Sequence, residues 1–280
     1  MSLVRSVLDG QRPSGAFAST MRDEGADAPD DNGFVTARVL GGLEASSLPP
    51  PLAPAVERAL DFLEGCAAPE LPGAFRFWPD EQRPAHVPRY PPDADDTALI
   101  SLQLARFGRR SRDDLRRIVA YVLLRHRVSA GARPAPWVRP GAFWTWLDDG
   151  FGYNLVDCVV NANVVALICA AGLRGITGYG DACAMVDLAV RLAIDDPFSL
   201  RMISPYYPQP RDLRDAVGRA VDAGAGELAP CLERLRERFG DGAEPDHSPV
   251  CTSAYGKVRW TAPLVRRLDR LRLGHTEDGA

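Results

Sequence analysis

Lysine and histidine are scarce in this sequence, and Cys-x-x-Cys pairs are absent. Lys257 is the only lysine, so arginine supplies nearly all of the positive charge. The formal net charge is −4, and we exclude nucleic-acid binding because nothing suggests a basic surface for the phosphate backbone. The six cysteines stand singly and the four histidines lack metal-ligand spacing. We therefore expect buried thiols, no metal and no cofactor.

Long apolar segments are also absent. No apolar run approaches the ~20 residues with which a helix crosses a bilayer, so no membrane span is expected. Residues 1–9 place an arginine and an acid around a short apolar stretch, unlike the order found in a signal peptide. These absences predict a cytoplasmic protein. The 280 residues, of which 46% are hydrophobic, are enough to form one domain over 1–280.

The sequence does contain an internal repeat. The triplet Gly-Ala-Phe occurs at 15–17, 73–75 and 141–143. Each copy follows an amphipathic segment and precedes a more apolar one, with aromatic and proline-rich residues between them. Two later parts of the chain keep this plan without the triplet. We therefore predict about five units, each a helix, a long loop and a second helix, with no strands.

The two helices of each unit differ in their apolar pattern. Residues 155–171 are apolar on all sides, whereas residues 112–117 carry charges along one side. A helix that is apolar all round is buried, and a striped helix lies at the surface. We therefore predict an all-α chain folded as an α/α toroid, with second helices inside and first helices outside. The predicted first helices are 3–8, 52–64, 113–128, 181–194 and 228–239, and the second helices are 34–45, 95–107, 155–171, 212–221 and 262–273.

Aromatic residues are concentrated in the loops that precede the second helices. In a toroid these loops would leave the ring at one end and surround a cavity. Aromatic faces bind apolar or cationic groups, although each ring could instead pack one loop onto another. The predicted substrate-binding aromatic residues are Trp78, Tyr90, Trp144, Trp146, Tyr153, Tyr206 and Trp260.

Three carboxylates lie at the start of the second inner helix, at Asp93, Asp95 and Asp96. In a cavity that excludes water they cannot all ionise, so at least one pKa should rise and leave a protonated acid as a proton donor. The alternative is helix capping, in which Asp93 or Asp95 accepts backbone N–H bonds. Capping explains one or two of the acids better than it explains all three.

The segment Asp93-Ala94-Asp95-Asp96-Thr97-Ala98 resembles the Asp-x-Asp-Asp-Thr-Ala motif of class II terpene cyclases, which include squalene-hopene cyclases and class II diterpene cyclases. Those enzymes are also built from α/α toroids. The resemblance implies metal-independent cyclisation of an isoprenoid, such as a prenyl diphosphate, as an isomerase or lyase. Asp95 would protonate the substrate while Asp93 and Asp96 tune its acidity, and aromatic faces would stabilise the carbocation.

The chain departs from these cyclases in two respects. It has the length of one toroid where they have two or more domains, and their repeated Gln-to-Trp motifs are absent. A second toroid would come from a partner or a homodimer, unless the single cavity suffices.

The third inner helix places Asp157 and Asn161 one turn apart within an apolar segment. They are predicted to bind the acid motif or the substrate, although Asn161 could instead tie the helix to a neighbouring loop. One alternative function is a carbohydrate-active α/α-barrel enzyme with Asp95 and Asp157 as acid and base. Another is a non-catalytic toroid that binds a prenyl group or a peptide, since Asp157-Cys158 faintly resembles the zinc-ligand region of protein prenyltransferase β subunits.

Overall fold

The computed structural model describes residues 3–132, 135–242 and 244–272. The predicted domain and the last predicted helix extend beyond these ranges. The helices are Leu3–Asp9 (α1), Gly33–Gly42 (α2), Ala53–Gly65 (α3), Ala94–Arg106 (α4), Arg112–Tyr121 (α5), Cys158–Ala171 (α6), Tyr179–Ala193 (α7), Pro197–Ile203 (α8), Pro210–Asp222 (α9), Ala229–Phe239 (α10) and Pro263–Arg272 (α11). All ten predicted helices are present, and α8 is additional.

The prediction of an all-α chain without strands is wrong. The strands are Ser19–Asp23 (β1), Ala26–Asp30 (β2), Pro249–Thr252 (β3) and Arg259–Thr261 (β4). They form an antiparallel sheet in the order β2-β1-β4-β3. Because β1 lies in the first loop and β4 in the last, their pairing joins the two ends of the chain.

Five helices pack in the sequence α11, α2, α4, α6 and α9, each against the next. Arg266 of α11 forms a buried ion pair with Asp212 of α9 at 2.5 Å, which connects the last of these helices to the first. Every residue of α6 except Ala170 is buried. In contrast, α5 buries only Leu115, Ile118 and Val119. The predicted contrast between buried second helices and exposed first helices is confirmed for these two.

The three Gly-Ala-Phe triplets have the same backbone conformation. Gly15, Gly73 and Gly141 have φ of +92°, +94° and +93°, a region that favours glycine. A Cβ atom would lie 2.4 Å from the Arg58 carbonyl oxygen at Gly15 and 2.3 Å from Asp181 Oδ2 at Gly141, so these two copies also need glycine for space. The alanine and phenylalanine of each triplet are buried.

Each triplet is tied to the inner helix that follows it. The phenylalanine N–H donates to a side chain four residues after the residue that caps this helix. The pairs are Phe17 with Thr36 at 3.2 Å, Phe75 with Thr97 at 3.0 Å and Phe143 with Asn161 at 2.9 Å. The capping residues are Asn32, Asp93 and Asp157, whose side chains accept N–H bonds of the first turn. The sequence repeat is therefore a structural repeat.

Within the described ranges, no helix is long and apolar enough to cross a membrane. The six cysteines are free and buried, as predicted. Among the same residues, no group of three or more His, Cys, Asp or Glu side chains is arranged to hold a metal ion.

Candidate functional site

A cavity of about 510 Å³ lies where α2, α4 and α6 begin. Its volume is within the range of roughly 300–1000 Å³ that is typical of small-molecule sites. We call it the acidic cavity because it contains the three aspartates of α4. The predicted site residues that line it are Asp93, Asp95, Asp96, Trp78, Tyr90, Trp146, Tyr153, Tyr206 and Trp260.

Three predicted site residues are absent from this lining. Trp144 is half-buried and packs against the hydrophobic core. Asp157 caps α6 by accepting N–H bonds of the first turn, and its second oxygen accepts the Tyr206 N–H at 3.1 Å. Asn161 donates to the Phe143 carbonyl at 3.0 Å and accepts from its N–H. Asp157 and Asn161 therefore hold loops in place, which for Asn161 is the alternative considered from the sequence.

Asp93 has a structural role that the other repeats share. Its side chain accepts the Asp96 N–H at 2.7 Å, as Asn32 accepts the Val35 N–H at 2.8 Å. Burial raises the pKa of Asp93 to about 7. Capping therefore accounts for Asp93, and an asparagine in the same position of the first repeat does so without a charge.

Asp95 is not needed for capping, because the equivalent position is Phe34 in α2 and Val159 in α6. One of its oxygens accepts from Asn163 Nδ2 at 2.7 Å, and the other accepts from the Tyr207 hydroxyl. The side chain is 7% exposed. Burial raises the pKa of Asp95, although these two donors favour the ionised form.

Asp96 also replaces an apolar residue, since Val35 and Val160 occupy the equivalent positions. It is 2% exposed, and its Oδ1 atom has no hydrogen-bond partner. Burial and the adjacent charge of Asp93 raise the pKa of Asp96 well above its ordinary value. The protonated form of this acid is thereby favoured, because two crowded carboxylates in a dry site do not readily both ionise.

The first aromatic cluster consists of Phe34, Phe77, Trp78 and Trp260. The Phe77 ring centroid lies 4.5 Å from Trp78 and 5.0 Å from Trp260. The two indole N–H groups donate to the same buried carboxylate, Asp30, at 2.9 and 3.1 Å. Their polar edges are thus satisfied away from solvent, and their apolar surfaces remain to form cavity wall.

The second aromatic cluster surrounds Trp146. Tyr90 stacks on it with centroids 5.4 Å apart and ring planes inclined by 21°. Phe151 packs at 5.3 Å, and Trp146 Nε1 donates to the Tyr206 hydroxyl at 3.0 Å. Aromatic surface therefore flanks the acids from two sides.

Basic side chains also line the cavity. Arg76 pairs with Glu70, Arg89 pairs with Asp80 at 2.7 Å, and Lys257 lies 3.5 Å from Glu24. The site therefore combines buried acids, aromatic walls and cations with acidic partners.

The predicted site residues did not include three residues that organise the site, namely Asp30, Asn163 and Tyr207. Tyr207 is adjacent to the predicted Tyr206. The sequence therefore indicated this part of the loop, but it did not indicate which of the two tyrosines contacts Asp95. Asn163 follows the predicted Asn161 at the next alternate position. Asp30 had no signal, because it lies in a strand that the sequence did not predict.

No protein-family model matches this sequence, and no curated protein matches it. A crystal structure of a protein from Actinoplanes is similar with a TM-score of 0.49 and 16% identity, over 98% of this chain and 99% of that chain. A likeness at this level indicates neither a family nor a function.

Proposed function

We propose that the chain is an α/α toroid that cyclises an isoprenoid by protonation, in the manner of a class II terpene cyclase. The observation that carries this proposal is the pair Asp95 and Asp96. Both are buried acids in an aromatic cavity, and the equivalent residues are apolar in the two other repeats that carry the Gly-Ala-Phe triplet. Burying acids where the fold accepts apolar residues lowers the stability of the protein, and this cost favours a chemical role for them.

Asp95 is the proposed proton donor. Asn163 holds one of its oxygens, and the Tyr207 hydroxyl contacts the other from a position that also lines the cavity. When Asp95 is protonated, Asn163 can keep its bond while the Tyr207 hydroxyl turns to accept. Asp93 and Asp96 would share a proton beside it. This sharing limits the negative charge next to Asp95 and so makes it easier for Asp95 to lose its proton.

The aromatic clusters would stabilise the carbocation that follows protonation. A cation over an aromatic face gains roughly 0.5–2 kcal/mol per ring. Trp78, Trp146 and Trp260 all line the cavity, so successive cationic centres would meet a ring on either side of the acids. The basic residues Arg76, Arg89 and Lys257 would suit a diphosphate head group.

The toroid itself is supported by the order of helix packing and by its closure through α11. The acidic cavity draws its walls from loops of all five units of one chain, including Trp78, Trp146, Tyr207 and Trp260. We propose that these loops enclose the substrate, so that a second toroid from a partner or a homodimer is not required.

The carbohydrate-active alternative needed Asp157 as a second carboxylate. That residue does not line the cavity, and its oxygens are occupied by backbone N–H groups. An experiment distinguishes the binding-protein alternative from the cyclase, because a prenyl-binding toroid would retain an isoprenoid without changing it.

The test is incubation with linear isoprenoids, supplied free, as epoxides and as diphosphates, followed by mass spectrometry for cyclised products. Asp95→Asn preserves shape but removes the acidic proton, so product formation should fall by 10²- to 10⁴-fold or more. Asp215→Asn is the control, because it neutralises a half-buried acid that pairs with Arg214 outside the cavity, and it should leave product formation near wild type. A fully active Asp95→Asn would remove Asp95 as the acid, and bound but unchanged isoprenoid would favour the binding protein.

A further inference from the structure

A second cavity, of about 1110 Å³, lies at the opposite ends of the inner helices. Its lining comes from the C-terminal parts of α2, α4, α6, α9 and α11. Leucines form much of its wall, among them Leu43, Leu52, Leu102 and Leu115. We call it the arginine cavity, because five arginines but only two acids line it. The arginines are Arg106, Arg110, Arg112, Arg219 and Arg272, and the acids are Glu44 and Asp222.

Most of these arginines already have partners. Arg106 donates to the Gly41 carbonyl at the end of α2 at 3.0 Å, and Arg112 donates to the Ala171 carbonyl at the end of α6 at 3.3 Å. Cations at helix C-termini offset the negative end of the helix dipole. Arg110 pairs with Glu64 at 2.9 Å, and Arg272 pairs with Asp222.

Arg219 and Arg112 are the two arginines of this lining that form no ion pair with a described carboxylate, and of these two only Arg112 donates to a helix C-terminus. The Nε and Nη2 atoms of Arg219 donate to Asn163 Oδ1 at 3.3 and 3.0 Å. Burial and repulsion by Arg38 lower the pKa of Arg219 to about 10. Arg219 is half-buried, Asp215 and Asp269 attract it without forming an ion pair among the described residues, and its Nη1 atom forms no hydrogen bond with them. This guanidinium can therefore still donate to an anion.

A second polar side chain faces the same space without a partner. Gln103 lines the arginine cavity and is 8% exposed, and its Oε1 atom has no hydrogen bond. The two ends of a glutamine amide exchange by rotation about one bond. Gln103 can therefore offer its Nε2 donor to a ligand in the arginine cavity.

We propose that the arginine cavity binds a phosphate-class anion, either free or as the head group of an apolar chain, through Arg219 and Gln103. The leucine walls suit an apolar chain, and the unpaired guanidinium suits the head group. This site is separate from the acidic cavity, and its occupancy does not depend on the proposed cyclisation.

Asn163 connects the two cavities. Its carbonyl oxygen accepts from Arg219, and its amide donates to Asp95 at 2.7 Å. An anion that pairs with Arg219 would offset part of the positive charge that favours ionised Asp95. Binding at one end of the ring would thus alter the acid at the other.

Isothermal titration calorimetry with inorganic phosphate, pyrophosphate and dodecyl phosphate below its micelle concentration tests the proposal. We expect saturable binding of at least one probe by the wild type and at least tenfold weaker binding by Arg219→Met. Arg116→Met is the control, because it removes the same charge from an arginine that lies beside Arg112 on the Ala171 carbonyl, at 3.1 Å, but does not line the cavity. It should bind as the wild type does.

Binding of all three probes would identify a phosphate site, and binding of dodecyl phosphate alone would identify a lipid head group. Arg219→Met should melt near the wild-type temperature, because the loss of two hydrogen bonds to Asn163 is offset by removal of a half-buried cation that has no ion pair with the described residues. Should it not fold, Gln103→Leu provides the second variant and should also weaken binding. The proposal fails if the wild type binds none of the probes at millimolar concentration, or if the folded variants bind as tightly as the wild type.

Discussion

Thr97 provides a direct test of how the repeat is held together. Its hydroxyl accepts the Phe75 N–H at 3.0 Å, and both residues are buried. Thr97→Val preserves the shape of the side chain but removes this acceptor. A buried N–H left without a partner costs about 1–3 kcal/mol, so the free energy of unfolding should fall by this amount. For a chain of this size each kcal/mol corresponds to roughly 2–4 °C in melting temperature.

Ser101 supplies the matched control on the same helix. It lies one turn after Thr97, is fully buried, and its hydroxyl has no hydrogen-bond partner. Ser101→Ala should therefore leave stability unchanged or increase it, since burying an unpaired hydroxyl is unfavourable. Urea denaturation followed by circular dichroism measures both variants. Equal stability of the two would refute the reasoning, because it would mean that the Phe75–Thr97 bond contributes nothing.

Two further predictions concern the acidic cavity. Burial on folding raises the pKa of Asp93 to about 7 and the pKa of Asp96 well above its ordinary value. Their stabilising contribution is therefore complete below about pH 4, and the part due to Asp93 is lost as pH rises through about 7. Melting temperatures between pH 4 and 8 should fall with pH, and Asp96→Asn should flatten that slope; an unchanged slope would contradict this. Trp146→Ala should weaken isoprenoid binding at least tenfold in a fluorescence titration, whereas Trp144→Ala, outside the cavity, should change only stability. Equal losses of binding would contradict the assignment.

The helices could be predicted from sequence because their signals are local. Apolar spacing located ten helices of the described ranges but missed α8, which has seven residues, and its other errors lie at the helix ends. The helix predicted over 113–128 ends at Tyr121, followed by a short 3-10 turn over Leu123–Arg125. The helix predicted over 155–171 begins at Cys158, because Asp157 is its cap. Capping depends on a single side chain, which periodicity does not resolve.

The sheet could not be predicted because its signals are weak and its pairing is distant. The strands have only 3 to 5 residues, and β2, Ala-Asp-Ala-Pro-Asp, consists of residues that strands disfavour. β1 and β4 pair across most of the length of the chain, with Met21 opposite Trp260. Such a partner is chosen by tertiary structure, not by local sequence.

The acids of the site were visible in sequence, but their partners were not. Asp95 contacts Asn163 from α6 and Tyr207 from the loop before α9. Both contacts depend on how three units pack together, so the spacing of residues along the sequence does not predict them. Trp144 shows the converse error, since a loop tryptophan was assigned to the cavity although it packs against the core.

Formation of the acidic cavity and closure of the chain into one body depend on the same residues. Asp30 lies at the end of β2 in the first unit, Trp78 belongs to the second unit, and Trp260 lies in β4 of the fifth. The carboxylate accepts both indole N–H groups at once, so it fixes two cavity walls only when the first and fifth units are paired. Without β4, the cavity wall would lose Trp260, and Trp78 would be the only indole that donates to Asp30. A fragment lacking either terminal unit would therefore retain Asp93, Asp95 and Asp96 on α4 but expose them to water, and the exclusion of solvent that raises their pKa values would be lost.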